Sequence, residues 1–319
     1  MARGHDPTRL GSGVAIPVRA IVTGGRGFVG RHLVGHLLDR GDDAVVLDRS
    51  GPDAVDITDA HAVRDRVATI APEVVFHLAA RSHVGASWND EEAVQRVNVG
   101  GTANVLSAGA AAGVARILVV GSAEEYGRID ASAIPVREIT PLQPVSPYAH
   151  SKVAAEALAL AAQRDGSIDV ICVRAFNHTG PGQSPNFLVP GLATRIAAAE
   201  RAAADDITVG NLDSVRDYTD VRDVVRAYRL LAEHGAAGEV YNVCSGVGRT
   251  VADIAQGLLA LARRPLRLAV DPDLVRPVDV PILVGDGTRL RDATGWSPEI
   301  PLERTLADVL EDARARAVG

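Results

Sequence analysis

The chain has 319 residues, 47% of them hydrophobic, with 33 Lys and Arg against 40 Asp and Glu, a formal net charge of −7. That supplies enough apolar surface for one large or two interlocked domains rather than a small module. The acidic balance argues against a general binder of nucleic acid or anionic membranes, yet a few arginines in one cleft would still hold an anionic small ligand.

Residues 1–17 are polar and rich in Gly and Pro, and read as a flexible tail without an apolar signal core. No later run has the roughly 18 apolar residues of a membrane span, so a cytoplasmic protein is expected. VRAIVTG (18–24) predicts a first strand, and GFVGRHLVGHLLDRG carries apolar residues at helical spacing and stops at Gly41, a C′ residue. AVVLD (44–48) predicts a second strand, and a short third one is expected to end near Asp56. A polar helix over 58–70, a strand at 73–80, a long helix over 90–112 and a strand at 116–122 follow. A helix over 147–164 and a strand at 169–176 complete a series of βαβ units. Such alternation predicts an α/β fold, a doubly wound parallel sheet.

Beyond residue 180 the loops lengthen and prolines punctuate them. Helices are expected over 187–204, 220–234, 250–262 and 301–316, with short strands at ITVGN, EVYNV and LRLAV. This pattern predicts a dinucleotide-binding domain over 18–180 with return segments near 213–245. The segments 181–212 and 246–319 would form a smaller α/β substrate domain, with a ligand cleft between the two. Arg222, Arg226 and Arg229 read as solvated charges on an exposed helix face. Cys172 and Cys244 lie in strand-like runs and read as reduced core residues, and no metal-site spacing is present.

TGGRGFVG (23–30) joins the first strand to the first helix. Gly24 would allow a tight turn, Gly27 a close approach of backbone to a pyrophosphate, and Gly30 close packing of helix on strand. The free N–H groups around Phe28 and Val29 would face the diphosphate. Asp48 is placed to accept the adenosine ribose hydroxyls and repel a 2′-phosphate, which favours NAD(H). Arg49 beside it would pair with such a phosphate and keeps NADP(H) open. Asp56 and Ile57 either bracket the adenine or are turn residues.

SPYAHSK (146–152) puts Tyr148 and Lys152 four apart on one helix face. An ammonium beside a phenol stabilises the phenolate, tuning it as a proton donor or acceptor for a carbonyl/alcohol pair. Ser122, at the end of a strand, offers a hydroxyl to the substrate oxygen.

These stretches, with FHLAA (76–80), NVGGT (98–102), GSAEEYG (121–127) and RAFNH (174–178), resemble the extended short-chain dehydrogenase/reductases that act on nucleotide-diphosphate sugars. The likeness spans about residues 18–316. It implies a catalytic triad of Ser122, Tyr148 and Lys152, with Asn98 supporting the lysine through backbone or a water. Leu78, Ala79 and Ala80 would line the dinucleotide, His178 would sit by the nicotinamide, and Asn177 and Val189 would reach the sugar nucleotide. It also implies a homodimer built on the helices at 90–112 and 147–164, although the alanine-rich stretch 154–163 would equally suit packing within one chain.

FNHTGPGQ (176–183), GNLDSVRDYTDVRD (210–223), YNVCSG (241–246), RPVDVP (276–281) and TGW (294–296) are similar to the GDP-mannose branch of that family. By that analogy Arg216 and Arg276 would grip the diphosphate, and Asp279 a ribose hydroxyl. Glu124 stands where a 4,6-dehydratase places the base of its elimination, but reductases of the branch carry the same stretch. The loop TGPGQSPNF (179–187) lacks the paired arginines of the dehydratases, and Gly191 replaces their lysine. The resemblance therefore implies a reductase of a GDP-4-keto-6-deoxy-mannose. A dehydratase is the second reading, an epimerase on another nucleotide sugar the third, and a dinucleotide-sensing protein without turnover the non-enzymatic one.

Overall fold

The computed structural model describes residues 17–271 and 280–317. β1 (Arg19–Thr23) runs through the glycine loop into α1 (Phe28–Asp39), β2 (Asp43–Leu47) and α2 (Ala60–Ile70). Next come β3 (Val74–His77), the one-turn α3 (Val84–Ser87), α4 (Glu91–Gln95), a π-helical turn over 96–100 and α5 (Gly101–Ala112). β4 (Arg116–Val120), α6 (Pro147–Arg164) and β5 (Asp169–Ala175) end the first half. The second half contains β6 (Asn177–Thr179), α7 (Leu188–Ala202), β7 (Asp206–Val209), β8 (Val215–Asp220), α8 (Val221–His234) and β9 (Val240–Val243). β10 (Gly248–Thr250), α9 (Val251–Leu259), β11 (Arg267–Val270), β12 (Ile282–Leu283), α10 (Thr288–Thr294) and α11 (Leu302–Arg316) follow.

Six strands form one parallel sheet in the order β2-β1-β3-β4-β5-β9. Its inner strands are apolar on both faces because helices cover both, as β3 shows with every residue buried. Leu33 and Leu37 of α1 and Val224, Tyr228 and Leu231 of α8 fill one face. Val63 and Val67 of α2, Val105 and Leu106 of α5 and Ala159 of α6 fill the other. Each such large side chain contributes about 1.5–3 kcal/mol of burial. A separate core joins α7, α9 and α11 beneath the two-stranded pair β7 and β11.

The chain leaves β1 for β2 on one side and returns to β3 on the other. That reversal opens a crevice at the carboxyl ends of β1 and β3, where this architecture binds ligands. The glycine loop, Leu78, Gly121 and Phe176 all follow strands at this same edge.

Three expectations change. The short strand ending near Asp56 does not form: Gly51 has φ +101°, Pro52 follows, and Val55 N bonds back to Asp48 O at 2.8 Å, giving a local loop. The helix over 90–112 runs on as expected from 91, but widens over 96–100 into a π-helical turn that carries Asn98. The three α8 arginines are ion-paired rather than solvated. Arg229 is buried against Asp42, Arg222 forks onto Asp220 and reaches Asp308, and Arg226 holds Asp223.

Candidate active site

The glycine loop is held by sterics. Gly24 has φ +68°, and a Cβ there would stand 2.9 Å from Ala79 Cα. A Cβ on Gly30 would lie 2.2 Å from Gly24 O, so only glycine lets α1 start against the loop. α1 begins at Phe28 behind Gly27, which has no side chain to cap it, and its first N–H groups stay available to an anion. Leu78 N and Ala79 N both donate to Thr23 Oγ1 at 3.1 Å, fixing the strand end that faces the loop. This cradle fits a dinucleotide diphosphate.

Sequence reasoning singled out Asn98 but missed the rest of the polar frame behind it. His77 is fully buried, with Nδ1 2.8 Å from Thr23 Oγ1 and Nε2 2.9 Å from Thr102 Oγ1. Burial, with Lys152 acting the same way, holds its pKa down to about 3, so the ring is neutral. Asn98 accepts from Arg81 N at 2.8 Å and donates to Ser151 Oγ at 2.9 Å. It therefore ties the loop after β3 to α6, one residue from Lys152. The only sequence signal was a His and two Thr in otherwise apolar or small-residue runs.

Ser146 caps α6 by accepting Ala149 N at 3.1 Å, and Pro147 takes the first turn. That start places the buried Tyr148 against β4, beside Ser122. Lys152 lies one turn on, with Nζ donating to Val120 O at 2.7 Å and 6.0 Å from the Tyr148 ring centre. Ser122, Tyr148 and Lys152 are thus brought together as expected. The electrostatics differ from expectation. Burial pushes the Tyr148 phenol up, as do the Glu125 and Glu124 charges, while the Ser122 hydroxyl pulls it down. Burial also lowers Lys152, with Glu125 opposing.

Ser122 begins a 3-10 turn over 123–126, and its Oγ accepts Glu124 N at 3.2 Å. Glu124 is half-buried beside Tyr148. Glu125, unremarked in the sequence, folds beneath and accepts Ser122 N at 2.7 Å.

Around this centre, His178 donates its Nδ1–H to Phe176 O, 2.9 Å away, and its ring stacks parallel to Phe28 at 6.3 Å. Burial lowers its pKa. Asn177 opens β6, which pairs with β8, the strand of Arg216. Arg249 lies directly opposite Arg216 on β10. Val189 departs from expectation: its side chain is buried in the α7–α9–α11 core, so only its main chain in the first turn of α7 is left for a ligand. Asp48 accepts from Arg26 N at 3.1 Å and from Ser50 Oγ at 2.9 Å, and Arg49 is exposed. Asp56 accepts Thr58 N and Oγ1, and Ile57 packs under α5 against Gly101, which matches the turn reading of both. Ala80 follows Ala79 at the crevice. Arg276 and Asp279 lie outside the described residues. Among the described residues no group of three His, Cys, Asp or Glu is arranged to hold a metal, and no helix is long and apolar enough to cross a membrane.

The chain is 35% identical to a GDP-6-deoxy-D-mannose reductase of Pseudomonas aeruginosa over 93% of this chain and 98% of that protein. It is 31% identical to a GDP-6-deoxy-D-talose 4-dehydrogenase of Aggregatibacter actinomycetemcomitans over 87% of this chain and 92% of that protein. The solved structure of RMD from Pseudomonas aeruginosa, complexed with NADPH, superposes with a TM-score of 0.87 at 35% identity, covering 94% of this chain and 99% of that one. Residues 20–244, which carry the glycine cradle and all three triad residues, match the NAD dependent epimerase/dehydratase family, and the chain belongs to it.

Proposed function

We propose that this protein reduces the C4 ketone of GDP-4-keto-6-deoxy-D-mannose to give GDP-D-rhamnose or its C4 epimer. The observation that carries the reading is the buried Tyr148 set beside Ser122, with Lys152 one turn on the same helix and the glycine cradle at the same sheet edge. The near-full-length likeness to the Pseudomonas reductase supplies the substrate class. The likeness to the talose dehydrogenase keeps both C4 epimers in view.

The cradle would hold the diphosphate of a reduced nicotinamide cofactor, which when bound would supply the hydride for C4. A ketone oxygen set between Ser122 Oγ and the Tyr148 hydroxyl would accept from both. Tyr148 then gives its proton to that oxygen, an assistance worth typically about 10²–10⁴-fold. Lys152, anchored on Val120 O, holds the α6 face against β4 with its ammonium 6.0 Å from the Tyr148 ring centre. Leu78, Ala79, Ala80 and the Phe28–His178 stack would flank the dinucleotide. Asp48 favours NAD(H). The exposed Arg49 and the Arg26 guanidinium laid against Gly51 also suit NADP(H). Asn177, Arg216 and, by analogy, Arg276 and Asp279 would hold the GDP-sugar.

Residues 18–180 with the return near 213–245 would form the dinucleotide-binding domain, since α8 and β9 pack into the large sheet. The segments 181–212 and 246–319 would carry the substrate, since α7, α9 and α11 share their own core. The helix α4–α5 and α6 faces would pair two copies in a cytoplasmic homodimer.

The deciding experiment mixes pure protein with GDP-4-keto-6-deoxy-mannose and NADH or NADPH and follows the cofactor's absorbance. Steady oxidation that vanishes in Tyr148→Phe supports the reading. No oxidation with either cofactor overturns it.

A further inference from the structure

Beneath the triad lies a buried acid that the mechanism above does not use. Glu125 has no exposed surface, and one carboxylate oxygen accepts Ser122 N at 2.7 Å. Its fold-back requires Gly121, where a Cβ would meet that oxygen at 2.4 Å and Val173 O at 2.9 Å. The second oxygen accepts no hydrogen bond among the described residues and lies 3.6 Å from Arg174 Nε. Arg174 is already committed. It forks onto Glu156 at 3.0 and 2.7 Å, and its third nitrogen donates to Tyr126 Oη at 3.1 Å and Glu138 O at 3.0 Å. Between Lys152, Gly121, Glu156 and Cys172 a cavity of about 10 Å³ has room for about one water.

We propose that Glu125 is a positioning residue of this site, holding Ser122 by its main chain and setting, through its own charge, how strongly Tyr148 and Lys152 keep their protons. Holding Ser122 N needs only an acceptor, which an amide would provide. A carboxyl with one oxygen left without a donor, under a lysine, adds a charge that can be switched off by protonation.

The groups facing it are Tyr148, Lys152 and Glu156 from α6, Arg174 and Cys172 from β5, and Glu124 and Tyr126 from its own turn. Burial pushes Glu125 up to about 8, Glu156 adding to it and Arg174 and Lys152 opposing. Below that pH the acid is neutral and leaves the phenol less restrained. Above it the carboxylate raises the proton affinity of Tyr148 and of Lys152. The charge thus delays loss of the Tyr148 proton as the medium turns alkaline.

The test compares wild type with Glu125→Gln, which keeps an acceptor for Ser122 N but cannot ionise. The role of Glu125 rests on the proposed reduction only for the choice of assay. In the kcat/KM profile for the ketosugar, the two curves coincide below about pH 7. Near pH 9 the variant falls several-fold below wild type, its basic limb moved to lower pH, with unchanged melting temperature at neutral pH. Coincident curves at all pH, or a gap of constant size, overturn the proposal, since a purely structural role would give the latter.

A second readout needs no substrate. Carboxyl-carbon NMR of glutamate-labelled wild type should show one side chain titrating near 8, absent in Glu125→Gln. If every glutamate titrates in the ordinary carboxylate range, the proposal fails whatever the enzyme reduces. The wild-type titration alone decides the matter should the variant not fold. Absence of turnover in wild type would sink the reductase reading and leave the NMR result to judge Glu125.

Discussion

Asp42 and Arg229, 187 residues apart in the chain, form a buried forked pair with Nε to Oδ2 at 2.7 Å and Nη2 to Oδ1 at 3.3 Å. Asp42 Oδ1 also accepts Val18 N at 3.0 Å, so the pair pins α8 to the start of β1. Arg229→Ala would strand the Asp42 carboxylate, and unfolding free energy should drop by about 3–5 kcal/mol. The check is the urea midpoint at unchanged slope. Replacing both partners with apolar residues of similar volume should recover most of that loss.

His77 gives the acid side of stability. Its folded pKa is depressed to about 3 from an ordinary 6.5, so the unfolded chain takes up a proton first as pH falls. The stabilisation is complete above the unfolded value and is lost as pH drops toward the folded one. From this group alone the cost is on the order of 2 kcal/mol by about pH 5. His77→Gln, which retains polar contact with Thr23 and Thr102, should show a flatter stability curve between about pH 6.5 and 4. Equal slopes in thermal melts across that range would rule His77 out as the acid-sensitive group.

What was legible in the sequence was local. The Ser146–Pro147 start and the apolar spacing gave α6 its observed ends, and the glycine spacing after β1 gave the cradle. β8 escaped because VRDYTD is polar in sequence, yet its Asp217 is buried, accepting Ser245 N and Gly246 N. Arg229 and Glu125 were misjudged or passed over for the same reason. Charge read along a chain suggests solvent, and only the partner strand or helix reveals burial. Val189 was assigned to ligand by resemblance, but the α7 register turns its side chain into the core. The Tyr148–Lys152 pair could be read because it sits at a fixed spacing on one helix, whereas Thr23, His77 and Thr102, which join Asn98 in the frame behind it, come from three separate segments.

Asp48 is the residue expected to set the choice between NAD(H) and NADP(H). Its carboxylate is occupied by Arg26 N and by Ser50 N and Oγ, while the Arg26 guanidinium lies against Gly51. A 2′-phosphate in this corner would meet one carboxylate and two arginines, Arg26 and Arg49. Asp48→Asn keeps an acceptor for only one side of the loop, giving up either the Arg26 N or the Ser50 bonds, but it removes the like charge, so kcat/KM with NADPH should rise about tenfold relative to NADH. Arg26→Ala should lower NADPH use by a similar factor and leave NADH nearly unchanged. Parallel changes with both cofactors would show that the corner does not discriminate.

Glu124 separates the two chemistries the fold can host. Its N–H is fixed by Ser122 Oγ at 3.2 Å, and its carboxylate is near enough to raise the Tyr148 pKa. A reductase takes its proton from Tyr148 and needs no base for a carbon acid. Glu124→Gln should then cost at most about tenfold in NAD(P)H oxidation with the ketosugar, through sugar positioning and a slightly more acidic phenol. A 4,6-dehydratase would lose its elimination base, a deficit of about 10²–10⁴-fold in conversion of GDP-mannose to a keto sugar. Both assays on wild type and variant decide between them. Only a protein silent with ketosugar, active on GDP-mannose and crippled by Glu124→Gln would move the assignment to the dehydratase. The missing arginine pair in 179–187 and Gly191, whose Cβ would press on Pro185 O at 2.7 Å and so admits no lysine there, argue against that outcome.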